Sequence, residues 1–291
     1  MNNKILTILS GSPRGGEKTW ESLYKNVLEH LNSDLALCTT ENYVLSKSLF
    51  ERANYIWTLE NYDNFELYYE KNYEGNWKEY FEYGKGYGLY ESGLIHFALK
   101  DFIRNNFMEI INKYDFIIFS RYDQFYIDKH PYLQNNKILI PKGEDYFGLC
   151  DRHAAFDSNL ANKYFSIVDY INNAESINEI PSFPNCESVY LKHLENNKLI
   201  NNVERVDRFL FTSALKSDKT NWRIPKYKIF FIKNLMIKYP DEFIDGVKNA
   251  IKNYGLLKYA KDNFFIVFTY FYLKLRQIFR IRSRIEDNKN D

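Results

Sequence analysis

Three observations predict that this chain is an α/β protein. Lys4–Leu9 is a predicted strand that runs into the glycine-rich segment Ser10–Gly16, after which apolar residues recur at helical spacing. Asp34–Cys38 is the next predicted strand, and a strand, turn, helix and strand in this order open a nucleotide-binding α/β unit. The apolar run Phe116–Phe119 has the β-branched and aromatic composition of a strand buried on both faces.

The composition narrows the class of protein. The 291 residues include 39 Lys and Arg against 38 Asp and Glu, so the net charge is close to zero. The charge of the chain therefore gives no indication of a nucleic-acid partner. Cys38, Cys150 and Cys186 lie far apart without a CxxC pair, which favours a reducing compartment and disfavours a zinc site. The first residues lack the apolar stretch of a secretory signal, so we expect a cytoplasmic protein.

Helical periodicity predicts the connections between these strands. Apolar residues at helical spacing predict helices over 44–57, 93–112, 161–171 and 187–196, with Ser92 as the cap of the second. A last strand is predicted over 206–212. No internal repeat is visible.

Charged residues follow apolar segments at three places in the middle of the chain. Ser120–Asp123 comes directly after Phe116–Phe119, and Gly143–Asp145 follows the apolar segment Lys137–Pro141. Asp151–His153 comes six residues later. Open α/β sheets bind ligands at the carboxyl ends of their strands, so these charged groups are candidate site residues.

The first glycine-rich turn admits two phosphate-binding interpretations. Gly11–Gly16 fits the start of a Walker A loop, but Glu17 displaces the following Lys18 and Thr19 by one position and disfavours that interpretation. The segment PRGGEKTW also resembles the phosphosulfate loop of sulfotransferases. In either case a helix N-terminus would offer free N–H groups to a phosphate.

Four segments together carry a family resemblance: LSGSPRGGEKTW, YDFIIFSRYDQFY, ILIPKGEDYFGLCDRHAAF and NCESVYLKHLENN. With them the chain resembles a family of GT-A-type glycosyltransferases found in bacterial surface-polysaccharide gene sets and in large DNA viruses. The resemblance covers residues 4–215. It implies a GT-A-like, Rossmann-type mixed sheet flanked by helices over residues 1–215, followed by a helical C-terminal extension over 216–291.

The resemblance also implies an activity and a set of site residues. The family transfers a sugar from a nucleotide-sugar to an acceptor glycan, usually with a divalent metal on the diphosphate. The residues that match its motifs are the candidate catalytic residues Asp145, Asp151 and His153, the candidate donor-binding residues Gly11, Arg14, Gly15, Arg121, Glu144 and Arg152, and the candidate metal ligand Asp123.

The chemistry of this reaction suits those residue types. Mg²⁺ or Mn²⁺ held by Asp123 would neutralise the departing diphosphate, and arginines would bind its oxygens. Asp145 or Asp151 would take the proton of the acceptor hydroxyl in an inverting transfer. The family has two aspartates in an Asp-x-Asp motif, whereas this chain has only Asp123 at that place. Two explanations remain: Asp128 or Asp145 supplies the second metal ligand, or arginine partly replaces the metal.

Several of these residues have simpler structural interpretations. Asp123 could be a turn or cap residue, His153 a structural histidine, and Asp151 and Arg152 a surface ion pair of little energetic value. For the whole chain, a PAPS-dependent sulfotransferase and a non-catalytic scaffold of a polysaccharide assembly remain alternatives.

The C-terminal part is apolar and then basic. Asn263–Leu275 is strongly apolar, but Lys274 interrupts it before the length of a membrane span is reached. Four arginines follow, at Arg276, Arg280, Arg282 and Arg284. This pattern predicts either an interfacial helix on the anionic inner leaflet, where a lipid-linked acceptor would lie, or a helix packed on the core or on a second subunit.

Overall fold

The computed structural model describes residues 3–41, 47–218, 230–232 and 235–287. Its strands are β1 (Ile5–Ser10), β2 (Ser33–Thr40), β3 (Tyr55–Leu59), β4 (Phe116–Arg121), β5 (Gln124–Tyr126), β6 (Ile138–Pro141), β7 (His153–Asp157), β8 (Val203–Val206), β9 (Leu210–Leu215), β10 (Phe230–Ile232) and β11 (Leu235–Ile237).

The helices are distributed along the whole chain. They are α1 (Gly16–Leu23), α2 (Glu29–Leu31), α3 (Lys47–Arg52), α4 (Glu66–Asn72), α5 (Trp77–Tyr83), α6 (Leu94–Ile111), α7 (Ala161–Phe165), α8 (Ile167–Asn172), α9 (Ala174–Ile177), α10 (Cys186–Asn196), α11 (Pro240–Tyr254), α12 (Leu256–Asp262) and α13 (Phe264–Asp287). π-Helical turns cover Tyr24–Leu28 and Leu89–Gly93, and 3₁₀ turns cover Ser158–Leu160 and Ile200–Asn202.

The chain divides into two compact units, each built from several segments. The first comprises residues 1–13, 27–122 and 131–206, and the second comprises 14–26, 123–130 and 207–291.

A mixed seven-stranded sheet flanked by helices forms the first unit, which confirms an α/β protein compatible with a Rossmann-like fold. Its strand order is β3-β2-β1-β4-β7-β6-β8. The first four strands of that order are parallel, and β7 is antiparallel to both of its neighbours. Strand β4 is buried from Phe116 to Ser120, as its apolar sequence predicts for a central strand.

The second unit has a smaller antiparallel sheet with the order β10-β11-β9-β5. Its core gathers apolar residues of β5, β9, β11 and the helices α11, α12 and α13. The ion pair between Arg208 and Glu242 lies inside this unit, with 2% and 0% of the two side chains exposed. Glu242 also accepts a hydrogen bond from the N–H of Thr212, so the buried carboxylate joins α11 to β9.

Some of the helices and strands predicted from the sequence are confirmed, and others are wrong. Strands β1, β2 and β4 and helices α6 and α10 are confirmed within a few residues. The predicted helix over 44–57 is wrong in its second half, because Tyr55–Leu59 is an edge strand in which the side chains of Ile56 and Trp57 are alternately exposed and buried. Residues 44–46 of that prediction lie outside the described part of the chain.

Three further predictions need correction. The single strand predicted over 206–212 is wrong, because β8 ends at Val206 and β9 begins at Leu210 in a different sheet. The helix over 161–171 is two short helices that separate at Ser166, whose ψ is 27°. Ser92 does not cap α6, since its hydroxyl donates instead to the carbonyl of Gly88 inside a π-helical turn.

Candidate functional site

One edge of the seven-stranded sheet collects the charged segments that the sequence analysis selected. The parallel strands β1, β4 and β6 end at this edge, and the antiparallel strand β7 begins there. Consequently Gly11, Arg121, Glu144 and Asp151–His153 all lie at or next to the same edge. The direction of strand succession reverses between β1 and β4, which is where α/β sheets form their ligand crevice.

Gly11 leaves open space at the end of β1. Its φ is 112°, in the region that favours glycine, and its N–H donates to the carbonyl of Cys38 at 3.1 Å. A Cβ built at this position would meet no heavy atom within 4 Å. The backbone of Gly11 is therefore open to close approach, and its role in donor binding stays a prediction.

The pairing of β4 with β7 brings two arginines together. The N–H of Arg121 donates to the carbonyl of Arg152 at 3.2 Å, and Arg121 Nη1 lies 3.4 Å from His96 Nε2. Arg152 is buried, and its Nη2 donates to the carbonyl of Glu144 at 3.2 Å. Together with the buried Lys100 of α6, these residues form a cationic cluster: Arg121, Arg152, His96 and Lys100.

Asp151 lies within the field of that cationic cluster. Its carboxyl is buried, and burial acts to raise its pKa. The charges of His96, Lys100, Arg152 and Arg121 outweigh burial and hold the pKa of Asp151 below its ordinary value. Asp151 is therefore ionised at neutral pH. Because Asp151 and Arg152 are both buried, the simpler interpretation of them as a surface ion pair is wrong.

Glu187, in the first turn of α10, is a carboxylate that the sequence analysis did not select. Burial and the nearby charge of Asp151 raise its pKa to about 8. The pKa values of Asp151 and Glu187 are thus displaced in opposite directions, that of Asp151 downward and that of Glu187 upward. Such divergent pairs are typical of acid–base sites. The only sequence signal for Glu187 is its position in the segment NCESVYLKHLENN.

Lys100 was also missed, although it is a charged residue on the apolar face of α6. Its side chain is 1% exposed, and burial lowers its pKa. The ammonium lies over the rings of Tyr190, Phe119 and Tyr164, at 4.6, 5.3 and 5.5 Å from their centroids. Its Nζ makes no hydrogen bond within the described residues. In the sequence, a charged residue at a helical position that the apolar periodicity assigns to the core was the signal that could have indicated Lys100.

Asp145 has a different environment from Asp151. Both of its carboxylate oxygens accept hydrogen bonds from Arg205 Nη2, at 2.8 and 2.9 Å, and Oδ1 also accepts from the N–H of Cys150. Arg205 donates in addition to the carbonyls of Ile140 and Pro141. This carboxylate therefore holds the loop after β6 in place, and its oxygens are already engaged.

The loop that contains Glu144 and Asp145 has an unusual backbone. Gly143, Glu144, Tyr146 and Phe147 have φ values of 86°, 51°, 40° and 69°. Non-glycine residues rarely adopt positive φ, and such conformations often cluster at ligand sites. His153 follows this loop, buried at the start of β7 and opposite Ser120 of β4.

The remaining predicted residues, Arg14, Gly15 and Asp123, belong to the second unit. The N–H of Gly15 donates to Asp218 Oδ2 at 2.9 Å, so a carboxylate already occupies the position where a phosphate was expected at the start of α1. Asp123 is buried, and its Oδ1 accepts a hydrogen bond from the side chain of Gln124 at 3.3 Å.

The donor set for a metal is small. No three His, Cys, Asp or Glu side chains of the described residues are grouped so that they could hold a metal ion. Asp128, a candidate second ligand, accepts hydrogen bonds from Asn253 and Tyr254 at 3.1 and 2.7 Å. Mg²⁺ bound mainly through substrate phosphates needs only one or two carboxylates, so Asp123 fits a metal only together with a phosphorylated ligand.

Comparison of the chain with protein-family models gives no match, and comparison with curated protein sequences gives none either. The GT-A resemblance therefore remains a prediction from the sequence motifs. Within the described part of the chain, no helix combines the length and the apolar character needed to cross a membrane.

Proposed function

We propose that this protein is a glycosyltransferase that moves a sugar from a nucleotide-sugar donor to an acceptor glycan during surface-polysaccharide assembly. The observation that carries the proposal is the cationic cluster around Asp151 and Glu187 at the ligand-binding edge of a Rossmann-like sheet. A nucleotide diphosphate is an anionic ligand that a cluster of arginines binds well. The GT-A type of the fold and a cytoplasmic location at the inner membrane belong to the same proposal.

The residues of the first unit would divide the work of the transfer. Arg121 and Arg152 would bind the diphosphate, and Gly11 would let the donor approach the sheet edge. The acceptor oxygen forms a bond to the anomeric carbon while the bond from that carbon to the diphosphate oxygen breaks, and the electron pair leaves with the diphosphate. The acceptor proton goes to the ionised carboxyl of the Asp151–Glu187 pair.

Three predicted residues have separate roles within the proposal. Asp123, Arg14 and Gly15 belong to the second unit, so the roles proposed for them, Asp123 as ligand of a divalent metal and Arg14 and Gly15 in donor binding, rest on the family resemblance alone. The bond of the Gly15 N–H to Asp218 gives a phosphate-binding turn no support. Because the same hydrogen bond occupies the turn that would bind the phosphosulfate, the structure gives no support to the sulfotransferase alternative.

A ligand panel tests the proposal. Thermal unfolding of the protein would be measured with UDP, GDP, CMP, dTDP and adenosine 3′,5′-bisphosphate, each with and without Mn²⁺, because a bound ligand raises the unfolding temperature. We expect a shift with one nucleotide of a sugar donor that depends on Mn²⁺ and is lost in Asp123→Ala. A shift with the bisphosphate alone would support the sulfotransferase, and no shift at all would support the scaffold.

Matched variants locate the ligand. Arg121→Met removes a charge from the cationic cluster, and we expect it to abolish the nucleotide shift. Asp145→Asn is the control among the predicted residues, because its carboxylate is engaged by Arg205 and Cys150. We expect this variant to lower the unfolding temperature without ligand but to keep the nucleotide shift.

A further inference from the structure

Helix α13 presents an apolar face to solvent. Seven large apolar side chains, each between 46% and 67% exposed, form this face: Phe264, Phe265, Phe268, Phe271, Tyr272, Leu275 and Ile278. Their spacing of three and four residues places them on one side of a helix with 3.6 residues per turn. We refer to these seven residues as the aromatic face. Leu257 of α12, 88% exposed, precedes it along the chain.

The opposite side of α13 is also apolar. Ile266, Val267 and Leu273 are buried and pack into the core of the second unit. A helix that is apolar on both sides normally has both sides covered. Contiguous exposed apolar patches on a soluble protein usually mark an interaction site. The aromatic face is therefore a candidate interaction surface.

The charges around the aromatic face identify the kind of partner. Between residues 252 and 278 the exposed charged side chains are Lys252, Lys258, Lys261, Arg276 and Asp262, four cations against one acid. The exposed Asp241 of α11 also lies at α13, where it accepts a hydrogen bond from Gln277 at 3.0 Å. The sequence then adds arginines at 280, 282 and 284 before its next acid. An apolar aromatic face bordered by lysine and arginine is the pattern of a helix that lies in the surface of an anionic bilayer. Two copies of this chain would bring together two faces with the same cationic excess.

A cavity of about 480 Å³ in the second unit adjoins the aromatic face. Phe264 and Phe265 line it, together with four lysines and three acids: Lys18, Lys25, Lys129, Lys258, Glu21, Asp128 and Asp262. Lys18 pairs with Glu21, whereas Lys25, Lys129 and Lys258 form no ion pair with the described residues. Of the acids, Glu21 pairs with Lys18, and Asp128 accepts hydrogen bonds from Asn253 and Tyr254. Lys25, Lys129 and Lys258 therefore remain to contact the phosphate of a lipid whose acyl chains contact the aromatic side chains.

We propose that the aromatic face and the adjoining lysine-lined cavity bind the surface of an anionic lipid bilayer. The aromatic side chains enter the boundary between headgroups and acyl chains, and the lysines contact lipid phosphates. This docking rests on the inner-membrane location that is part of the proposed function. It needs no nucleotide and no glycosyl transfer, so a failure of the docking and a failure of the proposed transfer give different results.

Vesicle co-sedimentation of the full chain tests the proposal. The vesicles would contain phosphatidylcholine alone or phosphatidylcholine with phosphatidylglycerol. The test variant replaces Phe264, Phe268 and Phe271 by serine, and the control replaces Tyr132 and Phe147 of the first unit, which are 77% and 75% exposed, by serine. Because all five side chains are exposed, we expect both variants to fold, and circular dichroism would check this.

We expect binding to the anionic vesicles, lost at high salt and weakened at least about tenfold in the triple variant but not in the control. Lys25→Gln with Lys258→Gln should weaken binding several-fold. The proposal is wrong if the wild-type protein does not bind anionic vesicles, or if the triple variant binds them as strongly as the wild-type protein does. A dimer in sedimentation equilibrium that the triple variant disrupts, with no vesicle binding, would assign the aromatic face to a second copy instead.

Discussion

The backbone of Gly148 lies directly against the carbonyl of Glu187. A Cβ at position 148 would stand 2.0 Å from that oxygen, and the N–H of Leu149 donates to the same oxygen at 3.1 Å. The side chain of Asn185, which caps α10, donates to the carbonyl of Tyr146 at 2.9 Å. The loop before β7 is thus fixed to the first turn of α10, and this contact brings Glu187 beside Asp151.

Gly148→Ala should therefore destabilise the protein and disturb the site. The new methyl group meets backbone atoms that cannot rotate away, and overpacking of this kind costs about 1–3 kcal/mol. Urea unfolding would measure the loss. Gly75→Ala is the matched control, since its Cβ would meet only the end of the Asn172 side chain. Equal stability of both variants would contradict the close approach at Glu187.

The raised pKa of Glu187 predicts a pH dependence of stability. The folded chain holds this proton up to a pKa of about 8, against an ordinary value of 4.5. The contribution to stability is therefore complete below pH 4.5 and is lost as the pH rises towards 8. Glu187→Gln cannot lose a proton, so its unfolding temperature relative to wild type should rise between pH 5 and pH 8.

Differential scanning calorimetry across that range would measure the effect. Glu179→Gln, at an exposed position, provides the control and should show a constant difference from wild type. If the Glu187→Gln difference is also constant, Glu187 titrates as an ordinary glutamate and the acid–base role proposed for the pair loses its support.

Lys100→Met separates ligand binding from stability. Among the described residues the buried ammonium has no hydrogen-bond partner, so an apolar side chain of similar length should keep or raise the unfolding temperature. Nucleotide binding should nevertheless weaken by roughly tenfold, because the cationic cluster loses a positive charge that acts on the ligand through space. Isothermal titration with the nucleotide identified by the ligand panel would measure this. Unchanged affinity would show that Lys100 has only a packing role, and Lys192→Met, at the surface, is the control.

The buried ion pair of the second unit predicts a large effect on stability. Glu242→Gln would remove the carboxylate that pairs with the guanidinium of Arg208 in the core, and breaking a buried ion pair typically costs about 3–5 kcal/mol. Glu195→Gln breaks the exposed pair with Lys192 and should cost about 0–1 kcal/mol. Chemical denaturation of both variants would compare the two losses. Similar small losses would mean that Glu242 is not essential to the second unit.

The sequence alone determined the elements whose patterns are local. The apolar run of β4 and the helical spacing of α6 and α10 were sufficient to locate these elements. The rule that ligands bind at the carboxyl ends of strands was sufficient to select Arg121, Asp151 and Arg152, which the sheet places at one edge. The edge strand β3 was missed because its alternation of buried and exposed residues is too short to distinguish from a helix turn.

Only the tertiary structure decided which charged residues share an environment. Asp145 and Asp151 are similar in sequence context, yet Arg205, 60 positions away, engages the first, while His96 and Lys100 of α6 surround the second. The same is true of Glu187, whose raised pKa depends on burial and on Asp151. A pKa and a hydrogen-bond partner depend on groups that are close in space and distant along the chain, and no local pattern encodes them.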